Sequence, residues 1–196
     1  MSVELSWADV VAPGISSQGQ PAVSEEWAFL VEADAAGFIE AISSLKDEPI
    51  AGGAYVVILN GAQCESGRDL FNEFSRKLNF PAYFGANWAA FDECLNDFVI
   101  LNGRGMGSEF GDREGIHARM LLLAIVNADR ILRNGTLAEW KAFLASLQRA
   151  STGANLSEIT GKRELASLRV IFHCDTNGYS GLVRKMNSSN VNFRTK

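Results

Sequence analysis

The chain has 196 residues, 47% of them hydrophobic and 21% charged. That is a globular composition, and the length suits one domain that buries most of its unfolded surface without disulfides or metal. Eighteen Lys+Arg against 23 Asp+Glu leave a net charge of −5, which argues against a nucleic-acid coat or a surface held to anionic lipid by charge. The charge is uneven: residues 1–50 hold nine acids and one base, whereas the tail after Asp175 holds four bases and no acid.

Residues 1–24, rich in Ser, Gly, Gln and Pro, read as a flexible arm, although Trp7 and Val10-Val11 are apolar enough to dock locally. The run WAFLV at 27–31 suits a buried strand, and Phe38, Ile39, Ile42 and Leu45 then recur at helical spacing until KDEPIAGG (46–53) breaks the pattern. Tyr55–Leu59 (YVVIL) has the β-branched continuity of a strand buried on both faces. Asn60-Gly61 turns the chain, and Ser66 with Asp69 reads as a capping box opening a helix with Leu70, Phe71, Phe74 and Leu78 inside.

Pro81 and Gly85 bracket a short link before a second helix expected over about 86–98. The glycine-rich segment at 102–115 reads as a flexible surface excursion. Met120–Val126 is a strong strand, and Thr136 with Glu139 caps another helix whose buried face is marked by Leu137, Trp140, Leu144 and Leu147. Residues 151–166 read as loop, Leu168–Phe172 as the last strand, and 176–196 as a basic, frayed tail. Strands alternating with helices predict an α/β fold, a small parallel sheet of three to four strands with helices packed on it.

Catalytic constellations are sparse. Cys64, Cys94 and Cys174 are odd in number and far apart, unlike a secreted disulfide framework. His173 and Cys174 are adjacent on a strand and so point to opposite faces, and no CxxC or HExxH spacing occurs. GRGMGS (103–108) lacks the Gly-Lys-Ser/Thr ending of a phosphate loop. The reading is of a non-enzyme, with no catalytic residues, metal or cofactor. The N-terminus MSVELSWADV has no leader pattern and the longest apolar run, Met120–Val126, is too short to span a bilayer. A cytoplasmic protein that binds neither membrane nor nucleic acid directly is expected, and the pattern leaves its oligomeric state open.

The most informative segment is FPAYFGANWAAFDECLNDF, 80–98. On a helix, Phe91, Cys94, Leu95 and Phe98 share one stripe. The opposite face carries Ala89, Asp92, Glu93, Asn96 and Asp97, with Trp88 on the flank. No Lys or Arg occurs between Leu78 and Gly103, so the helix offers three carboxylates with no base near in sequence. Tyr83, Phe84 and Trp88 border them, a combination suited to docking on a basic concave site.

These residues resemble the barstar family of ribonuclease inhibitors and toxin-immunity proteins. The shared pattern is a strand ending in Asn-Gly, a capped helix, Pro-x-Tyr-aromatic-Gly-x-Asn, and an acidic helix containing Cys-Leu. The resemblance covers roughly 54–175, with residues 25–53 as an N-terminal β-α extension packed on the core, adding an edge strand to a three-stranded parallel sheet. It implies inhibition by charge mimicry, an acidic helix and the preceding aromatic loop plugging the basic active site of a nuclease toxin, above all a ribonuclease. The implied partner-binding residues are Tyr83, Gly85, Asn87, Trp88, Asp92, Glu93, Asn96 and Asp97, with Glu93 at the principal carboxylate position. Ala89 departs from the pattern, which has an aspartate there, and Asp92 stands where the best-known member has an aromatic. The competing expectation is a non-inhibitory binding module on the same fold with a different partner, using Tyr83, Trp88 and the acidic N-terminal region.

Overall fold

The computed structural model describes residues 27–45, 53–111, 114–152, 164–189 and 191–195. The expected arm at 1–24, the break at 46–52 and most of the loop expected at 151–166 lie outside these. The described elements are, in chain order, β1 (Ala28–Glu32), α1 (Ala35–Ser44), β2 (Ala54–Asn60), α2 (Gly67–Leu78), α3 (Trp88–Phe98), β3 (Ile100–Leu101), β4 (Met120–Val126), α4 (Leu137–Thr152), β5 (Glu164–Leu165), β6 (Ser167–Cys174), α5 (Thr176–Asn187) and β7 (Arg194–Thr195).

Five strands form one sheet in the order β2-β4-β6-β1-β7, every pair parallel. The expected α/β class and parallel sheet are therefore present, with more strands than the three to four expected. β1 is not the edge strand: it lies between β6 and the short β7. β3 and β5 make a separate antiparallel pair.

Alternation along the strands divides the core. Val57, Leu59, Leu121, Leu123, Leu168, Val170 and Phe172 point into the layer made by α2 to α5, while Val56, Leu122, Ala124, Ile171, Phe29 and Val31 meet Phe38 and Ile42 of α1 on the other face. Both faces are covered, which is why β4, MLLLAIV, is buried at all seven positions.

The helices begin where local chemistry supplies acceptors for their unpaired N–H groups. Asp34 accepts from Gly37 N–H at 2.9 Å, and Ser66 Oγ accepts from Asp69 N–H. Thr136 and Glu139 cap reciprocally, Glu139 N–H donating to Thr136 Oγ1 at 3.2 Å and Thr136 N–H to Glu139 Oε2 at 2.7 Å. α2 ends on Asn79 in the left-handed region (φ 51°). In α4, Leu137 is exposed and Phe143 takes a place in the buried face instead.

Two expectations of flexibility are overturned. The first concerns the tail. Asp175 caps α5 through Gly178 N–H at 2.9 Å, and Leu182 and Met186 are buried at 1% and 0% exposure. Trp140 Nε1–H donates to Lys185 O at 3.2 Å, while Lys185 Nζ donates to Ile131 O at 2.6 Å and lies 4.2 Å from the centre of the Trp140 indole. Burial pushes the Lys185 amine down to about 8.

The second concerns the segment after α3. Met106 and Ile116 exchange both backbone hydrogen bonds, at 3.0 and 2.9 Å, and Met106 is completely buried. Gly115 is needed here because a Cβ would sit 2.2 Å from Arg104 O. Gly105, where a Cβ would come within 2.7 Å of Ile116 O, and Gly115 serve a close backbone approach rather than mobility.

Leu182→Ala is expected to lower the unfolding free energy by about 2–5 kcal/mol, read as a lower urea midpoint at unchanged slope. A loss under about 0.5 kcal/mol would show that α5 does not carry part of the core.

Candidate functional site: the α3 helix and its aromatic link

The position of α3 is set by rings. Phe91, fully buried, has ring centroids of Phe74 at 5.1 Å, Phe71 at 5.8 Å, Trp88 at 6.0 Å, Phe80 at 6.2 Å and Phe143 at 6.3 Å. Cys94, Leu95 and Phe98 continue the buried stripe, as the helical spacing predicts. Burial pushes the Cys94 thiol up to about 11, with Asp97 and Glu93 adding to the shift, so it stays protonated at neutral pH.

The helix starts at Trp88, two residues later than its pattern suggests, because Asn87 is the cap. Asn87 Oδ1 accepts from Ala90 N–H at 3.0 Å and its Nδ2 donates to Gly85 O at 3.2 Å, clipping the link to the helix. Phe84 N–H donates to Pro81 O at 2.9 Å, which folds the link into a turn. Ala86 lies in the left-handed region at φ 47°, uncommon for a residue with a Cβ and a sign of local strain. Phe84 and Trp88 are half-buried against Phe71, edge-on at 6.1 and 4.9 Å. Tyr83 is 72% exposed at the tip.

The structure thus brings Tyr83, Gly85, Asn87, Trp88, Asp92 and Glu93 together along the link and the first turns of α3. Their exposure differs. Glu93 is exposed, as is Ala89, the departure from the pattern, and Asp97 is half-buried. Asn96 is only 4% exposed and donates to Asp92 O at 2.7 Å, so its side chain is turned into the protein rather than offered at the surface. Asp92 is half-buried and ion-paired: Arg149 of α4 places Nε at 2.9 Å and Nη2 at 2.7 Å from Asp92 Oδ1. The helix is base-free in sequence but not in space. Arg149 is the residue that the linear pattern missed, since 57 positions separate it from Asp92 and only the packing of α3 against α4 joins them.

The histidine expected at a strand end is enclosed. His173 is completely buried and stacks on Phe38 at 4.4 Å. Its Nε2 is 3.0 Å from Ala33 O, and Asn127 N–H approaches Nδ1 at 3.5 Å. That pattern suits the neutral ring protonated at Nε2. Cys174, on the opposite face, is buried in the other half of the core. Among the described residues no group of three or more His, Cys, Asp or Glu is placed to hold a metal ion, and no helix is long and apolar enough to cross a membrane.

Fold and surface define the class: a small α/β protein that carries a capped, carboxylate-bearing helix beside an aromatic link. The chain belongs to the Barstar family, whose model, described as barstar (barnase inhibitor), matches residues 54–160. No curated protein matches the chain. Membership implies a ribonuclease-inhibitor-like role, exercised on a protein partner.

Burial holds the His173 imidazole below its ordinary 6.5. The folded state binds that proton less tightly than the unfolded chain, so the stability it carries is complete above 6.5 and is lost as pH falls from there through the lower folded value. Denaturant midpoints of wild type and His173→Gln are expected to diverge at pH 7 and to converge toward pH 5. A constant gap would show that the ring is not enclosed as a neutral group.

Proposed function

We propose that this protein is an immunity protein that binds and occludes the basic active site of a ribonuclease toxin of the barnase kind, acting in the cytoplasm. The observation that carries the reading is Glu93, exposed on α3 next to the exposed Tyr83 link, within the segment that the family match covers. A carboxylate there meets the cationic groups with which such an enzyme holds RNA phosphates, and charge-assisted hydrogen bonds to it form in a water-excluded interface. The Tyr83, Phe84 and Trp88 rings supply apolar area at low entropic cost.

Gly85 and Asn87 serve by shape: they hold the link against the helix before the partner arrives, so little ordering is left for the moment of binding. Asp97 adds to the negative field that steers encounter, and Asp92, paired with Arg149 in the free protein, adds an acid at the interface once docked. Asn96 acts from inside, tying its amide to the backbone of the turn that carries Asp92.

Addition of the protein to barnase is expected to suppress RNA cleavage stoichiometrically. Glu93→Gln should weaken binding by about 1.5–3 kcal/mol, roughly 10- to 100-fold in Kd. Ala89→Asp, which places a carboxylate on the exposed face, should speed association at low salt. Equal Kd values for wild type and Glu93→Gln would exclude α3 as the inhibitory surface.

A further inference from the structure

We propose that Arg149 is a built-in competitor for the partner: it holds Asp92 in the free protein, must yield it to a cation of the partner on docking, and so sets how cationic a partner has to be. This rests on the inhibitor reading above and adds the residue that tunes its selectivity.

The geometry carries the inference. Both Nε and Nη2 of Arg149 converge on Asp92 Oδ1, and Nη2 also lies 3.3 Å from Ser146 Oγ, one turn back on α4. The guanidinium is therefore steadied from its own helix while it grips the carboxylate of the next. Guanidinium on carboxylate is the same contact that a cationic active site would make with α3. Free protein and complex thus place two cations in competition for one acid.

Exposure and energy make the exchange feasible. The side chains of Arg149 and Asp92 are 37% and 22% exposed, so the pair lies at the surface and can open without unfolding. A partly exposed ion pair of this kind contributes little to stability, and a desolvated contact to a partner's cation is worth more. The pair is also dispensable as a brace. Phe143 of α4 already packs against Phe91 of α3 at 6.3 Å and Phe74 of α2 at 5.7 Å, so the two helices are joined by apolar burial that needs no charge.

The consequence is graded attraction. With Arg149 in place, a partner approaching α3 meets in Asp92 an acid already partnered, with a positive charge seated on it. Weakly cationic sites gain too little to displace it, and strongly cationic ones bind after exchange.

The test uses the full chain and barnase. Association rate constants are measured for wild type, Arg149→Gln, Asp92→Asn, the double variant and Glu93→Gln, at 50 and 500 mM NaCl. Arg149→Gln is expected to associate about three- to tenfold faster at low salt, to lose that gain at high salt, and to show no gain when Asp92 is already Asn. Slower or unchanged association would overturn the inference, as would an equal gain in the Asp92→Asn background, which would make Arg149 a distant charge acting independently. If Glu93→Gln weakens binding while Arg149→Gln changes nothing, the inhibitor reading stands and the competitor falls. If neither wild type nor Arg149→Gln binds barnase, the inhibitor reading fails, and the competitor with it.

Discussion

The ring of Phe91 touches the aromatic side chains of three neighbouring segments: Phe71 and Phe74 on α2, Phe80 at the start of the link, and Phe143 on α4. Burying an aromatic side chain of this size contributes about 1.5–3 kcal/mol, and each ring pair adds about 0.5–1.5 kcal/mol. A partly exposed carboxylate on the outer face contributes about 0–1 kcal/mol at most. The rotation of α3 about its axis is therefore decided by its apolar stripe, and the residues left outside follow from it. Charge at positions 89 and 93 is free to vary with the partner, because the fold does not depend on it. Ala89 is for that reason a statement about binding and not about stability.

The link shows the complementary constraint. Asn87 is both the cap of α3 and the clip on Gly85, and Ala86 between them is held in the left-handed region. A residue with a Cβ stays in that conformation only when its surroundings over-determine it. Here the Asn87 side chain, bonded to Gly85 O on one side of Ala86 and to Ala90 N–H on the other, and the Phe84–Pro81 turn before it do so. A link fixed in this way presents Tyr83 from a rigid base, so less conformational entropy is lost when a partner covers it.

Much of this was legible in the sequence because it is local. Met120–Val126 is a strand over the very residues its apolar run marks, Ser66 and Thr136 cap where their acidic partners three residues on predict, and the α3 stripe needs only the helical period. What escaped was of two kinds. In α5 the apolar positions Tyr179, Leu182, Val183 and Met186 do have helical spacing, but Gly178 and Gly181 and the flanking Asn and Ser residues dilute it below the charge signal of Arg184 and Lys185. Gly178 is there because a Cβ would come within 2.7 Å of the Asp129 side chain, a packing demand that composition presents as flexibility. The second kind is long-range: the burial of Asn96 and the pairing of Asp92 with Arg149 depend on how α3 meets α4, which no window of sequence contains.

That second kind governs what the charge of the molecule means. Over the whole chain it is −5, and residues 1–50, with nine acids and one base, more than account for it. At physiological salt a charge is screened within about 8 Å, so a partner reaching α3 responds to the few groups within that distance and hardly to the total. Counted by sequence, those groups are three carboxylates and no base. Counted in space they include a guanidinium that occupies one carboxylate, and the exposed acid is Glu93. Two proteins of this family with the same net charge and the same acidic helix could then differ in partner through one arginine on a neighbouring helix. The determinant of specificity lies in the α3–α4 contact rather than in either helix alone.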